Sequence, residues 1–287
     1  MEKIRIVADS ASDITVKHAK ELDVSVIPVN VLIGDEHFKD GIDIDSRTFF
    51  ERMRNENITP KTSQPSPEDY IEEFKKFSDY TDIICICLTS KGSGTYNSAC
   101  LAKTLLQEEN FPVNIHVVDS LNASIPILET VQVAKRMVDN GKLVSEILEK
   151  VEFLKDKMAL YFVLDTLEYV RKGGRIGNVK AVLGTILKIK PLLTFIKGYA
   201  QDVDKVRGAP SARAKLIEYF KNKAYKFDEV SIVHAFNIEQ AKLLEEELLA
   251  KFHNIKITMY EVGTSIGSYT GPGGVGLVFR EKSSRWS

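Results

Sequence analysis

Hydroxyl side chains are concentrated in three short segments of the chain, Thr62–Pro67, Thr89–Thr95 and Ser268–Thr270. The three segments could together bind one small anion. The ligand-binding candidates that we select from these segments are Thr62, Ser63, Ser93, Gly94, Ser268, Tyr269 and Thr270. Neutral hydroxyls and free backbone N–H groups can hold a carboxylate while leaving its charge uncancelled. Because this chemistry suits a ligand whose carboxylate must react later, we expect a carboxylate site to which all three segments contribute.

The middle segment, which contains Ser93, occupies a position in which α/β proteins bind ligands. It follows a nearly continuous β run, Asp82–Thr89, and precedes a predicted helix that begins at about Thr95. Ligands bind at the carboxyl edge of open parallel sheets, and the free N–H groups of a helix N-terminus favour an anion. Gly92 and Gly94 flank the serine and let a ligand approach the backbone.

A serine at such a junction also raises the hypothesis of an autonomous acyl hydrolase that uses Ser93. The nucleophile pattern G-x-S-x-G is absent, because Gly92 and Gly94 adjoin the serine directly. A catalytic triad needs a histidine that meets the serine in space. His116 and His234 lie inside β runs, where we expect a structural role. The hydrolase and a binding protein for a different anionic small molecule are the alternative hypotheses.

A glycine-rich run, Ser265–Phe279, contains the spacing G-x-G-x-x-G at Gly271, Gly273 and Gly276. A dinucleotide-binding loop follows a strand and opens a helix. Here the residues after the glycines read as a strand, and Pro272 removes a backbone N–H that a phosphate would need. We therefore predict no dinucleotide cofactor. The run is either an ordinary turn before a last strand or a hydroxyl-rich loop that borders the site.

The elements that must position these segments predict an α/β protein with two domains. In residues 1–150, strands alternate with helices, which indicates a mostly parallel sheet. Residues 151–287 combine helices and strands in a different order, which indicates an α+β domain. The predicted strands are Ile4–Ala8, Val24–Leu32, His37–Phe38, Asp82–Thr89, Val113–Asp119, Leu160–Leu164, Leu192–Ile196, Val230–Ala235, Ile255–Val262 and Val275–Phe279.

The composition excludes several classes of protein. The 287 residues carry a net charge of −1, and without a basic stripe we expect no nucleic acid partner. Three cysteines, Cys85, Cys87 and Cys100, are too few for a disulfide framework. The five histidines are scattered, so we expect no metal. No apolar run approaches the roughly 20 residues that span a bilayer, and the chain opens on a strand rather than a signal peptide, so we expect no integral membrane segment and a cytoplasmic protein.

Seven motifs, in a fixed order along the chain, resemble one known family. They are ADSASD (Ala8–Asp13), PKTSQPSP (Pro60–Pro67), GSGTYNSA (Gly92–Ala99), VVDS (Val117–Ser120), LEYVRKGGRI (Leu167–Ile176), IKPLL (Ile189–Leu193) and IGSYTGPGGVGL (Ile266–Leu277). Over almost its whole length the chain resembles the DegV family of fatty-acid-binding proteins, which serve as the lipid-carrying subunit of bacterial fatty acid kinase.

The resemblance implies a long-chain fatty acid held between the two domains. Thr62 and Ser93 would hydrogen-bond the carboxylate, and the acyl chain would enter an apolar tunnel in the second domain. The partner, the catalytic subunit of fatty acid kinase, would phosphorylate the bound acid to an acyl phosphate. The binding protein would do no chemistry alone and would need no cofactor besides its fatty acid ligand. The residues expected to line the tunnel are Leu160, Phe162, Leu164, Leu183, Ile186, Leu187, Leu192, Leu193, Phe195 and Ile196.

Within the pattern of the family, Arg175 and Arg207 are expected to face the kinase rather than the lipid. The chain departs from that pattern at two positions. Tyr269 stands where the family commonly has His in the segment G-x-H-x-G-P-G; a phenol can donate a hydrogen bond but stays neutral near pH 7. Gly92 replaces the Leu of the familiar Leu-Ser-Gly, which would widen the site or relax chain selectivity.

Overall fold

The computed structural model describes residues 2–56, 58–176, 179 and 189–283. The elements of the first part of the chain are β1 (Ile4–Asp9), α1 (Val16–Leu22), β2 (Ser25–Ile27), β3 (Asn30–Ile33), β4 (Glu36–Lys39), α2 (Ser46–Glu56), β5 (Lys61–Ser63), α3 (Pro67–Lys75), β6 (Asp82–Cys87), α4 (Thr95–Glu108), β7 (Asn114–Asp119), α5 (Ile125–Asp139) and α6 (Val144–Lys157). Those of the second part are β8 (Met158–Val163), α7 (Glu168–Lys172), β9 (Ile189–Ile196), β10 (Tyr199–Arg207), α8 (Ala209–Lys223), β11 (Glu229–His234), α9 (Ile238–Lys251), β12 (Lys256–Glu261), α10 (Thr264–Thr270) and β13 (Val275–Arg280).

A parallel sheet with the strand order β2-β1-β6-β7 forms the first domain. Every residue of β6 is buried, because α3 and α4 pack on one face of the sheet and α5 packs on the other. A strand that is covered on both faces has a nearly continuous apolar sequence. The parallel sheet that the alternation of strands and helices predicts is confirmed. The carboxyl ends of the strands meet at one edge, and the Ser93 segment follows β6 there.

A six-stranded mixed sheet with the order β10-β9-β8-β13-β11-β12 forms the second domain. Helices α8 and α9 pack on its outer face through Leu216, Phe220, Leu244 and Leu248. Its inner face packs against α5 and α6, and α5 also contacts strands of the parallel sheet. The two sheets therefore share a continuous core, and the predicted combination of α/β and α+β domains is confirmed. The division at residue 150 stays a prediction; that residue lies within α6.

A small antiparallel sheet with the order β4-β3-β5 carries the Thr62 segment. The single strand predicted over Val24–Leu32 is wrong, because β2 and β3 belong to different sheets. Pro28 lies between them; without an N–H it cannot continue a ladder of hydrogen bonds. The chain therefore leaves the parallel sheet at this point and forms the small sheet that faces the second domain.

The structure of the glycine-rich run, Ser265–Phe279, differs from the prediction in one respect. Residues Ser268 to Thr270, predicted to lie in a turn or loop, form the last part of helix α10. The strand that follows, β13, is confirmed and occupies a central position in the six-stranded sheet. No dinucleotide loop is formed, since the glycines lead into a strand rather than a helix.

Candidate functional site

The first and third hydroxyl segments meet directly. Thr62 Oγ1 on β5 lies 2.6 Å from the hydroxyl oxygen of Tyr269 on α10, and either group can be the donor. Both side chains are half-buried. This hydrogen bond joins the small sheet to the helix that precedes β13, and it brings together two candidates that lie 207 residues apart in the chain.

The Ser93 segment lies against the Thr62 segment. A β-carbon at Gly94 would lie 2.8 Å from Gln64 Nε2, so the absence of a side chain there lets the loop after β5 pack against the start of α4. Ser93 Oγ lies 2.7 Å from Thr95 Oγ1 and accepts the N–H of Thr95 at 3.3 Å. Two hydroxyls thus stand at the first turn of α4, where free N–H groups favour an anion.

Arg175 spans the mouth of the site. Its Nε donates to the carbonyl oxygen of Gly92 at 3.1 Å, and its guanidinium carbon lies 5.4 Å from the centroid of the Tyr269 ring. The residue as a whole is exposed. Because it contacts both the Ser93 loop and the tyrosine, Arg175 places a guanidinium charge beside the hydroxyl segments.

Helix α10, which carries Tyr269, is held at its N-terminus by two buried carboxyl groups of the first domain. Asp13 Oδ1 accepts the N–H of Gly263 at 2.7 Å, and Asp40 Oδ1 accepts the N–H and the hydroxyl of Thr264 at 3.0 Å and 2.7 Å. These bonds satisfy backbone groups that have no partner inside a helix. The motif ADSASD therefore helps to position the candidate site, because Asp13 belongs to it. Its sequence alone indicates no chemical role.

Burial sets the protonation of these carboxyl groups. Loss of water raises the pKa of Asp13 to about 8, against hydrogen bonds from Ser124 and Gly263 that lower it. Burial likewise raises the pKa of Asp9 to about 7 and raises that of Asp40. A carboxyl group whose pKa is raised in the folded state contributes its full stabilisation below pH 3.8, the pKa of the unfolded state. This contribution is lost progressively as the pH rises from that value to the pKa of the folded state.

Asp13→Asn is therefore expected to flatten the pH dependence of stability. The amide oxygen can accept from Gly263 as the acid does, and the amide cannot ionise. Between pH 5 and 7 the free energy of unfolding of the native protein should fall more steeply than that of the variant, by up to about 1.4 kcal/mol per pH unit. Urea denaturation at several pH values measures both slopes, and equal slopes would contradict the assignment.

A small apolar cavity lies between the inner face of the six-stranded sheet and the residues that precede α5. Its volume is about 50 Å³, roughly the share of two water molecules. It is lined by Ala123, Ser124, Leu160, Phe162, Leu164, Val233, His234, Ala235, Val262, Ile266, Thr270, Gly274, Val275 and Gly276. Gly276 stands in register between Phe162 and Val233. A side chain at Gly276 has no room, because a β-carbon there would lie 2.6 Å from the carbonyl oxygen of Tyr161 and 2.8 Å from the β-carbon of Phe162.

The cavity is connected to the hydroxyl site through shared neighbours. The Tyr269 ring packs against a small cluster that contains Leu164 and Leu193, and Leu164 also lines the cavity. Phe162, another lining residue, stacks on Phe195 with ring centroids 6.1 Å apart. An apolar path thus leads from the tyrosine into the inner face of the sheet.

The expected tunnel residues divide between the two faces of β9. Leu193 faces the cavity side, whereas Leu192 belongs to the core under α8 and α9. Side chains alternate along a strand, so Leu192 and Ile196, four residues further, lie on the face away from the cavity. The lining of a tunnel stays a prediction. Leu183, Ile186 and Leu187 lie outside the described residues.

The other predicted site residues have different surroundings. Ser63 is exposed on β5. Ser268 is buried, and its hydroxyl donates to the carbonyl oxygen of Thr264 at 2.8 Å. Thr270 lines the cavity. Arg207 is exposed at the end of β10, and its role stays a prediction.

A hydrolytic site does not form around Ser93 in the part of the chain that the structure describes. Its hydroxyl pairs with Thr95, while His116 Nε2 pairs with Asp82 at 2.8 Å and His234 Nδ1 pairs with the N–H of Asn237 at 3.4 Å. Within the same residues, His, Cys, Asp and Glu side chains form no cluster of three that could hold a metal ion. No helix among them is both long and apolar enough to cross a bilayer.

A larger groove of about 700 Å³ lies elsewhere, between α1 and the loop that precedes α2. Its lining mixes apolar residues such as Ile14, Val26 and Ile42 with charged ones such as Lys17 and Asp23. It contains none of the residues of the three hydroxyl segments. The groove therefore lies apart from the hydroxyls, although Asp13 and Asp40, which hold α10, belong to its lining.

Comparison with known proteins gives a consistent result over the whole chain. The model of the DegV family, described as uncharacterised proteins, matches residues 3–282. A DegV domain-containing protein of Caldanaerobacter subterraneus subsp. tengcongensis is 34% identical over 98% of this chain and 100% of its own length. A DegV family protein of Thermus thermophilus, whose structure concerns fatty acid binding, has a TM-score of 0.87 at 30% identity and covers 96% of this chain and 98% of that one.

One further structure bears on the fold. The fatty acid kinase B3 protein of Streptococcus pneumoniae, loaded with linoleic acid, has a TM-score of 0.82 and covers 98% of this chain and 99% of that one. At 24% identity it shows the fold alone.

Proposed function

The chain belongs to the DegV family, and from that premise we propose that it binds a long-chain fatty acid between its two domains. Thr62, Ser93 and Tyr269 hold the carboxylate, and the acyl chain enters the inner face of the six-stranded sheet. The protein presents the carboxylate to the catalytic subunit of a fatty acid kinase, which converts it to an acyl phosphate. The protein itself supplies no catalytic group and works in the cytoplasm.

The observation that carries this proposal is the hydrogen bond between Thr62 and Tyr269 beside the Ser93 loop. Two contacts connect the Ser93 loop to this pair: Gly94 packs against Gln64, and Arg175 joins Gly92 to the ring of Tyr269. The same ring packs on an apolar cluster. A carboxylate fits the polar side of this arrangement because hydroxyls donate charge-assisted hydrogen bonds. A hydrocarbon chain fits the apolar side. A polar head beside an apolar path is what an amphipathic ligand requires.

Burial of the chain supplies most of the affinity. About 15 methylene groups at roughly 0.8 kcal/mol each contribute a gross ~12 kcal/mol. Association and ordering subtract several kcal/mol, which still leaves a favourable balance. The cavity of about 50 Å³ is too small for such a chain. Binding therefore requires lining side chains to move apart, and the stacked pair Phe162 and Phe195 stands where the chain must pass.

Arg175 and Arg207 are proposed to face the kinase. The Arg175 guanidinium lies at the mouth of the site, between the Ser93 loop and Tyr269. In this position the guanidinium can bind the phosphoryl group that is transferred to the carboxylate, because arginine forms two parallel hydrogen bonds to phosphate oxygens. Arg207 lies on the exposed edge strand β10, where a protein partner can reach it.

The experiment that tests the proposal is organic extraction of the purified protein followed by mass spectrometry. We expect a long-chain fatty acid in about equimolar amount. After delipidation, titration with hexadecanoic acid should show saturable binding. An extract without fatty acid, together with no binding on titration, would contradict the proposal. A phosphorylated ligand in the extract would instead favour a binding protein for another anion.

A further inference from the structure

Thr270 carries a hydroxyl group that the proposed function leaves unused. Its Oγ1 is buried and has no hydrogen-bond partner within the described residues, and the residue lines the apolar cavity. A buried hydroxyl without a partner costs free energy, because it has lost its bonds to water. A plain alkyl chain in the cavity would not relieve that cost.

The neighbouring polar groups of the lining have partners of their own. The Ser124 hydroxyl donates to the carboxyl group of Asp13. The His234 Nδ1 accepts from the N–H of Asn237. Thr270 therefore differs from both in having a hydroxyl that is free to bond a ligand.

The position of Thr270 in α10 determines which part of the ligand its hydroxyl can contact. It follows Tyr269 directly on α10, and the tyrosine bonds Thr62 at the site proposed for the carboxylate. Successive side chains of a helix point about 100° apart, so one residue serves the polar site while the next lines the cavity. The hydroxyl therefore stands close to the first carbons of the acyl chain rather than its far end.

We propose that Thr270 makes this protein select acids that carry a hydroxyl group near the carboxyl end of the chain. This inference rests on the proposed function and names the class of acid that the site prefers. The ligand hydroxyl and Thr270 each donate or accept, so a single hydrogen bond satisfies both groups inside the cavity. A neutral hydrogen bond of this kind corresponds to a preference of about two- to twelvefold over the unsubstituted acid.

The test compares hexadecanoic acid with 3-hydroxyhexadecanoic acid on the delipidated protein. Calorimetric titration gives the ratio of the two affinities for the native protein and for Thr270→Val, which keeps the shape of the side chain and removes the hydroxyl. We expect the native protein to favour the hydroxy acid by the factor above, and the variant to bring the ratio to about one or below.

Thr194→Val provides the matched control. The Thr194 hydroxyl is also buried without a partner in the described part of the chain, but it alternates with Leu193 and faces the outer side of β9. Thr194→Val should therefore keep the native ratio of the two affinities.

If both acids bind and Thr270→Val leaves the ratio of their affinities unchanged, the inference is overturned and the proposed function stays intact. An equal loss for both acids would also overturn it, because Thr270 would then contact the carboxylate. Failure of both acids to bind the native protein would overturn the proposed function as well.

Discussion

Hexadecanoic acid is expected to bind this protein about 200-fold more tightly than dodecanoic acid. The two acids share their carboxylate and differ by four methylene groups, each worth roughly 0.8 kcal/mol when it leaves water. The difference of about 3.2 kcal/mol corresponds to this factor, since 1.4 kcal/mol is tenfold. Calorimetric titration of the delipidated protein with each acid measures it.

The comparison isolates the tail because the polar contacts are common to both ligands. Affinities within about fivefold of one another would mean that the last carbons stay in water. The apolar path from Tyr269 along Leu164 and Phe162 would then not hold the chain.

Two variants that each lack one hydroxyl of the polar site, Ser93→Ala and Thr62→Val, are each expected to bind hexadecanoic acid about 10- to 150-fold more weakly than the native protein. Ser93→Ala and Thr62→Val each remove one donor to a charged carboxylate, and such bonds contribute roughly 1.5–3 kcal/mol. Thr62→Val keeps the shape of the side chain, but it also removes the partner of the Tyr269 hydroxyl. Titration and thermal denaturation together separate lost binding from lost stability.

A matched control exists on the helix that follows the Ser93 loop. The Thr104 hydroxyl on α4 donates to the carbonyl oxygen of Cys100 and lies on an exposed part of the protein. Thr104→Val should bind like the native protein. If Ser93→Ala and Thr62→Val also bind like the native protein, the carboxylate does not lie at these hydroxyls.

Most of the regular fold could be predicted from the sequence, because its strong elements are also its most periodic ones. The continuous apolar run of β6 and the alternation of strands and helices around it indicate a parallel sheet by their pattern alone. Strand β10 was missed because a bulge between Asp202 and Asp204 breaks its alternation. A period of two that shifts halfway along a strand gives no clear signal.

Helix α10 was missed for a different reason. Its sequence, TSIGSYT, is poor in residues that favour helices. The helix forms because Asp13 and Asp40, more than 200 residues away, accept its first N–H groups. A contact at that distance in the chain leaves no local signal, so the pattern of the segment is that of a loop. The same fold-dependent contacts bring Tyr269 to Thr62.

The candidate site was therefore only partly accessible from sequence. The position at the end of a parallel strand indicated Ser93, and the hydroxyl segments also included Thr62. Resemblance to the DegV family supplied the role of both in binding the carboxylate. The contact of Arg175 with Gly92 and the separation of Leu192 from Leu193 depend on tertiary packing. The orphan hydroxyl of Thr270 is likewise a property of the folded protein, since it depends on which groups lie within reach.

A crystal structure of the delipidated protein after soaking with hexadecanoic acid tests the central claim most directly. We expect electron density for the carboxylate within hydrogen-bond distance of the Thr62 and Ser93 hydroxyls, with the chain passing Leu164 and Phe162 along the inner face of the six-stranded sheet. Density for the acid in the groove beside α1, with the space behind Tyr269 still closed by side chains, would contradict it.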